Sequence, residues 1–170
     1  MATLRKRINS KTKPLVIPGV YDAIGAKIAQ KVGFEAMFQT GYGTSATLLG
    51  MPDYGFIGAS ETLDNARRIS NAISVPLIVD IDTGYGNALT VRKLIQELEN
   101  AGASGVFLED QKWPKRCGHM KGKDVISKEE YAEKLQSAID ARSSKDFIIV
   151  ARTDARAIEG LDAAIERGNY

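Results

Sequence analysis

Cys117 and His119, the single cysteine and the single histidine of the chain, stand two positions apart in a basic loop. That loop, Glu109-Asp-Gln-Lys-Trp-Pro-Lys-Arg-Cys-Gly-His119, follows the apolar run Gly105-Val-Phe-Leu108. A thiol among cations and beside an imidazole ionises more readily than a free thiol, whose pKa is about 8.5. It can then act as a nucleophile or as a proton donor. Between Gln111 and Lys123 there are five Lys or Arg and no acid, enough positive charge to attract a small polyanion. The bland alternative is a solvated loop with an incidental cysteine. His119 serves equally well to orient the loop or to carry protons. A zinc site fails on count, because Cys117 and His119 are the only soft ligands.

Asp80-Ile-Asp82 closes another apolar run, Leu77-Ile-Val79. Alternation along a strand places both carboxylates on one side. Two anions that close repel unless a cation, a proton or basic side chains offset them. A hard divalent ion with oxygen ligands is the economical answer; magnesium uses few protein carboxylates and fills its shell with water and substrate. Glu109, at the next strand end, can join through water. The alternative is a pair of strand-end caps or ion-pair partners. Gly84-Tyr-Gly86 nearby is weak evidence for a phosphate loop, since turn chemistry explains it as well.

These residues need elements to carry them, and the chain alternates short apolar strands with amphipathic helices. Strands are expected at Leu15–Ile17, Ala36–Phe38, Leu77–Ile81, Val106–Leu108 and Phe147–Val150. Helices are expected over Tyr21–Val32, Ser60–Ile73, Thr90–Asn100, Ser127 to about Ala141 (opened by the capping box Ser127-Lys-Glu-Glu130) and from Leu161 onward. A long Gly-rich loop is expected from Gly41 to Pro52. Five βα units in succession make a parallel sheet covered by helices. Two closures fit: a five-stranded doubly wound sheet, or part of an eight-stranded barrel of about 250 residues. In either, ligands bind at the C-terminal strand ends. Thr40, Asp80, Asp82, Glu109, Asp110, Arg152 and Asp154 all fall there.

The bulk numbers exclude several classes. With 44% hydrophobic and 26% charged residues over 170 positions, the chain is an ordinary globular protein with a real core. A net charge of +2 and one basic loop make no extended nucleic-acid stripe. No apolar run approaches the roughly 18 residues of a membrane span. One cysteine excludes an internal disulfide framework and fits a reducing, cytoplasmic setting. Residues 1–13 form a basic segment expected to lead with a helix, and residues 14–170 form the folded unit.

Taken together, Lys115-Arg-Cys-Gly-His119 after Glu109-Asp-Gln111, with Asp80-Ile-Asp-Thr-Gly-Tyr-Gly86 upstream, resembles the isocitrate lyase and phosphoenolpyruvate mutase superfamily, most closely its methylisocitrate lyase branch. Pro18-Gly-Val-Tyr-Asp-Ala23, Thr40-Gly-Tyr-Gly43, Leu49-Gly-Met-Pro-Asp53 and Ala151-Arg-Thr-Asp-Ala155 extend the similarity from about Pro14 to the C-terminus. The Lys-Arg-Cys-Gly-His loop marks the carbon–carbon lyases; mutases and oxaloacetate-type hydrolases differ there.

The resemblance implies an α/β fold, a (β/α)8 TIM-type barrel of which this chain covers roughly the first five βα units, and a magnesium-dependent retro-Claisen cleavage. Manganese is an alternative metal. By the family pattern Asp80 holds the metal directly, and Asp82 and Glu109 hold it largely through water. Thr40, Gly41 and Tyr42 bind a substrate carboxylate, Cys117 and Gly118 lie at the reacting carbon, and Arg152 binds substrate. Cys117 is the proton donor, with Arg152, Asp53 and His119 as further catalytic candidates. The implied reaction cleaves 2-methylisocitrate to pyruvate and succinate. Alternatives are an isocitrate or 2,3-dimethylmalate-type lyase, a phosphoenolpyruvate mutase-like enzyme, or, from another class, an inactive fragment or anion-binding module. The implied partners are a small di- or tricarboxylate and other copies of the chain in a homotetramer. Two departures stand out. The family barrel needs about three more βα units, so the sequence is read as an incomplete part of a longer protein. Tyr42 stands where many relatives have glycine, which touches the preference for the substrate's side chain.

Overall fold

The computed structural model of the chain describes residues 4–10 and 14–170. Five parallel strands, β1 (Gly19–Val20), β2 (Met37–Gln39), β3 (Leu77–Asp80), β4 (Gly105–Glu109) and β5 (Ile148–Arg152), lie side by side in chain order. A doubly wound sheet reverses its strand order at a switch point. This sheet never reverses, so of the two closures it follows the barrel. Helices α2 (Ala23–Val32), α4 (Ala59–Ala72), α5 (Ala88–Asn100) and α6 (Lys128–Ala141) are the crossovers between consecutive strands. Two more helices accompany them: α1 (Leu4–Asn9) at the start and α3 (Gly41–Leu49) after β2. The last, α7 (Leu161–Asn169), follows β5.

Local chemistry fixes the helix starts. Asp22 Oδ1 accepts from Gly25 N at 2.6 Å ahead of α2, Asn87 Oδ1 accepts from Leu89 N and Thr90 N ahead of α5, and Ser127 Oγ accepts from Glu130 N ahead of α6. Each satisfies amide donors that the first helical turn leaves unpaired. Ahead of α4, Gly58 has no side chain to cap with, and Glu61 Oε2 reaches back to Gly58 N at 3.1 Å. That contact starts the helix at Ala59 rather than Ser60.

Alternation divides the strands between two cores. Met37, Leu77, Val79, Ile81, Val106 and Leu108 point outward and pack with Ile69, Leu94, Ile95, Leu98 and Ala138 of the helices. Ala36 and Ile78 point inward with Phe38, Phe107 and Ile148. The register pairs Phe38 with Ile78, Ile78 with Gly105 and Gly105 with Ile148, so these positions form one interior layer. Leu4 of α1 joins the same inner cluster, together with Leu15 and Ile17. Helix α1 is the leading helix expected of the basic segment; Lys11 and Lys13 of that segment lie outside the described residues.

Three expectations need correction. The first strand is Gly19–Val20, not Leu15–Ile17. Residues 14–18 are bounded by Pro14 and Pro18, which have no amide hydrogen for a ladder, and pairing opens where Pro18 O accepts from Phe38 N at 3.0 Å. Leu15 and Ile17 still pack inward, which is why they looked like a strand. Second, the Gly-rich stretch after β2 is helical over Gly41–Leu49, with Thr40 as its N-cap and Gly50 ending it in the left-handed conformation. Thr44 Oγ1 and Thr47 Oγ1 donate back to Thr40 O and Gly43 O at 2.8 Å each, closing the turns of a segment poor in strong helix formers. Third, α5 begins at Ala88 because Asn87 is its cap, two residues before the expected start. Among the described residues no helix is long and apolar enough to cross a membrane.

Candidate active site

The inward positions change character toward the C-terminal ends of the strands. Above Phe38 and Phe107, whose rings meet at 4.9 Å, the same faces carry Asp80, Glu109 and Arg152. The ladder sets Asp80 beside Phe107 and Glu109 beside Arg152. Loops complete a cavity of about 550 Å³ with Thr40, Tyr42 and Asp53 on one side and Cys117, Gly118, His119 and Met120 on the other. Of the site residues expected from the sequence, Gly41 and Asp82 do not line it. Gly41 donates its amide to Asp80 Oδ2 at 3.2 Å, from beneath the rim. Asp82 is buried behind the rim, its own amide donating to Asp80 Oδ1 at 3.1 Å.

The rim carboxylates are held against their preference for water. Burial raises the pKa of Asp80, with Lys115 acting the other way. Burial, then the charge of Asp80, pushes Asp82 up to about 7. Burial pushes Glu109 up to about 8 although Arg152 opposes it. Arg152 Nη1 lies 3.2 Å from Glu109 Oε2, and its Nη2 lies 3.0 Å from Asp154 Oδ2. Glu109 Oε1 is buried with no hydrogen-bond partner, while Asp82 Oδ1 is paired with the Lys115 ammonium at 2.5 Å. A buried carboxylate oxygen left unsatisfied suits a hard cation. Among the described residues no three His, Cys, Asp or Glu side chains converge into a ready-made cage. Magnesium does not need one, since it binds through one or two carboxylates and keeps several waters. Asp80, Asp82 and Glu109 therefore fit a magnesium ion by the chemistry of their donors.

Lys115 is the residue that sequence reasoning passed over. It is 3% exposed, and its ammonium sits 2.6 Å from Asp53 and 2.5 Å from Asp82. Burial works against its charge, but the two aspartates overcome it and hold the pKa above the ordinary lysine value. Asp53, a base candidate from the sequence, is thus committed to an ion pair. The backbone follows the same path: Cys117 N donates to Asp53 O at 3.0 Å. Cys117 is buried, and its Sγ lies 3.5 Å from His119 Nδ1. Gly118 lets the Arg152 guanidinium approach; a Cβ there would fall 2.4 Å from Nη2. Nearby, the Trp113 ring covers Gly55, where a Cβ would fall 2.9 Å from the indole. Sequence reasoning also missed the buried amide of Gln111 beside Asp154. The only signal for Lys115 and Gln111 was their place in a loop already dense in polar residues.

The chain is similar to known proteins over nearly its whole length. Residues 4–170 match the phosphoenolpyruvate phosphomutase family. The chain is 47% identical to the 2,3-dimethylmalate lyase of Eubacterium barkeri over 98% of its own length and 57% of that protein's. It is 45% identical to the 2-methylisocitrate lyase of Escherichia coli over 93% of its length and 54% of that protein's. The chain therefore spans about half the length of the curated relatives it matches. Among solved structures, oxaloacetate acetylhydrolase in complex with 3,3-difluorooxalacetate superposes with a TM-score of 0.92 at 38% identity, covering 97% of this chain and 57% of that one. Phosphonopyruvate hydrolase in complex with oxalate and Mg++ superposes with a TM-score of 0.82 at 32% identity, covering 90% and 52%.

Proposed function

The chain belongs to the phosphoenolpyruvate mutase/isocitrate lyase superfamily, and from that premise we propose that its protein is a magnesium-dependent carbon–carbon lyase that releases pyruvate from a substituted 2-hydroxy acid. The observation that carries the reading is the position of the Cys117 thiol. It sits in the wall of a cavity whose other parts are Asp80, Glu109 and Arg152. A proton donor thus faces a cluster suited to hold a metal and a carboxylate.

In this reading Asp80, Asp82 and Glu109 would hold magnesium, which when bound would supply Lewis-acid polarisation of the carbonyl that forms. Arg152 donates to the carboxylate of the 2-oxo-acid half. Thr40 and Tyr42, at the start of α3, hold a second carboxylate, while Gly41 between them keeps its amide on Asp80. The hydroxyl proton passes to solvent water, the oxygen's electrons form the carbonyl of pyruvate, and the carbon–carbon bond electrons pass to the departing carbon. That carbon takes the proton of Cys117. His119, 3.5 Å from Sγ, relays a proton from solvent back to the thiolate. Asp53 acts through Lys115, keeping an ammonium in place between itself and Asp82.

The substrate first expected is 2-methylisocitrate, which yields pyruvate and succinate. A second reading, a 2,3-dimethylmalate-type acid, is favoured by the cavity's charge balance. Lys115, which is buried, and Arg152, which is half-buried, are already paired with Asp53, Asp82, Glu109 and Asp154, whereas Phe38, Phe107, Tyr42 and Met120 offer apolar or aromatic wall. Such walls suit an alkyl group better than a third carboxylate. A coupled pyruvate assay on the two acids, with magnesium and with EDTA, separates the readings, with succinate or propionate as the second product. Pyruvate from neither acid would end the lyase reading. The homotetramer belongs to the same proposal. Its support is the apolar row Ile24, Ile28 and Val32, which α2 leaves exposed, and light scattering on the eluting protein checks it.

A further inference from the structure

Gln111 follows the carboxylates at the end of β4 and is 1% exposed. It sits at the stem of the Cys117 loop, bridged antiparallel to Val125, with Lys112 N donating to Asp124 O at 2.9 Å. From that stem its side chain reaches across the loop it closes. Oε1 accepts from Arg116 N at 3.0 Å, and Nε2 donates to Arg116 O at 3.0 Å and to Asp154 Oδ2 at 2.8 Å. One amide thus holds both backbone polar groups of the residue before Cys117. Asp154 in turn accepts from Arg152 Nη2 at 3.0 Å. A continuous chain of bonds runs from Arg152 through Asp154 and Gln111 to the Arg116 backbone.

We propose that Gln111 is a positioning residue for the reaction: it fixes the Arg116 backbone, and through it the Cys117 thiol, relative to Arg152. The proposal deepens the lyase reading and rests on it. Arg152 would orient the half of the substrate that keeps the carbonyl, and Cys117 would protonate the half that leaves. Proton transfer needs donor and acceptor within hydrogen-bond reach, so these two residues must hold a fixed separation while sitting on different segments. A primary amide suits the task because it donates and accepts at once. A glutamate at this place could accept from Arg116 N but could not donate to Arg116 O, and it would repel Asp154. A methionine of similar length would make neither bond.

Because Cys117 is the single cysteine, its alkylation by iodoacetamide reads the loop independently of turnover. In Gln111→Glu and Gln111→Met we expect alkylation to accelerate about ten-fold, the scale of one lost buried hydrogen-bonded hold. We expect kcat to fall by a similar factor with KM little changed, and magnesium affinity to stay at the wild-type value. A folded Gln111→Met variant whose thiol reacts at the wild-type rate overturns the proposal. So does faster alkylation accompanied by loss of magnesium binding, which would mean general loosening of the rim. Circular dichroism melting establishes folding, and Gln111→Met decides if Gln111→Glu does not fold. Failure of wild-type protein to release pyruvate counts against the lyase reading alone, since the alkylation rates still report what Gln111 holds.

Discussion

The two faces of the sheet are built from alternate residues of the same strands, yet they obey opposite rules. On the outer face Val79, Ile81, Val106 and Leu108 are fully buried against α4, α5 and α6, and a polar exception, Gln39 of β2, ties its amide to Thr62 O of α4 at 3.2 Å. On the inner face an apolar floor of Phe38, Ile78 and Phe107 gives way within one or two residues to Asp80, Glu109 and Arg152. The outer face removes apolar area from water, worth roughly 25 cal/mol per Å². The inner rim spends part of that gain, since buried carboxylates with raised pKa oppose folding at neutral pH. Stability and chemistry are thus separated by the two-residue period of a strand rather than by domain.

The sharpest way to break this comparison is Asp80→Asn. If the inner rim serves chemistry, turnover falls by on the order of 10³-fold while the melting midpoint changes little, because the loss of a disfavoured buried charge offsets the loss of one of the two amide bonds from Gly41 and Asp82. A melting loss as severe as the activity loss would show that Asp80 is structural. Next is Cys117→Ser, for which we expect turnover to drop about 10²- to 10⁴-fold with magnesium affinity, read by calorimetry, unchanged. Equal turnover would remove the thiol from the mechanism. On the outer face Leu98→Ala is expected to lose about 2–5 kcal/mol in urea unfolding with magnesium affinity intact. An effect confined to metal binding would contradict the division.

The pH dependence of stability follows from the rim's raised carboxyls. Below their ordinary values, near 3.8 for Asp82 and 4.5 for Glu109, both are protonated in folded and unfolded chains alike. As pH rises, the unfolded chain releases these protons first, while the folded chain keeps them until about 7 and about 8. The folded state binds more protons across that window, so stability declines from about pH 4 to about pH 8. Saturating magnesium should flatten the decline by stabilising the ionised forms. Melting midpoints across the window, with the metal and with EDTA, check it; a metal-free midpoint that rises with pH would contradict the raised values. The smallest expected effect joins the two faces. Tyr131, in the outer core, shares its single hydroxyl proton between Leu108 O at 2.6 Å and Arg152 O at 3.0 Å. Tyr131→Phe should cost about 1 kcal/mol in unfolding, with a modest rise in KM from the loosened Arg152 strand end.

The two faces differed in legibility too. The outer face declares itself through branched apolar runs such as Leu77–Val79, and the rim through charges that end those runs at Asp80, Glu109 and Arg152. Where local sequence carries two messages, it misled. Leu15–Ile17 looks like a strand, but its flanking prolines deny it a ladder. Gly41–Leu49 looks like a loop, but the Thr40 cap and the left-handed Gly50 stop bound a helix there. Lys115 was hidden for another reason: it is one of five cations in its loop, and nothing in the spacing marks which of them turns inward. Asp53, 62 positions earlier, and Asp82 together make that choice. Long-range pairing of this kind has no local period to betray it.

Trp113, the chain's only tryptophan, lies over Gly55 and meets the Tyr85 ring edge-on at 6.2 Å. The protein therefore carries its own optical probe at the base of the Cys117 loop. A single emitter has one environment to report, so any ligand that shifts this loop against the Gly55 segment should change the intensity or wavelength of emission. Loop docking can then be timed by stopped flow without a label, and compared directly with the rate of pyruvate release.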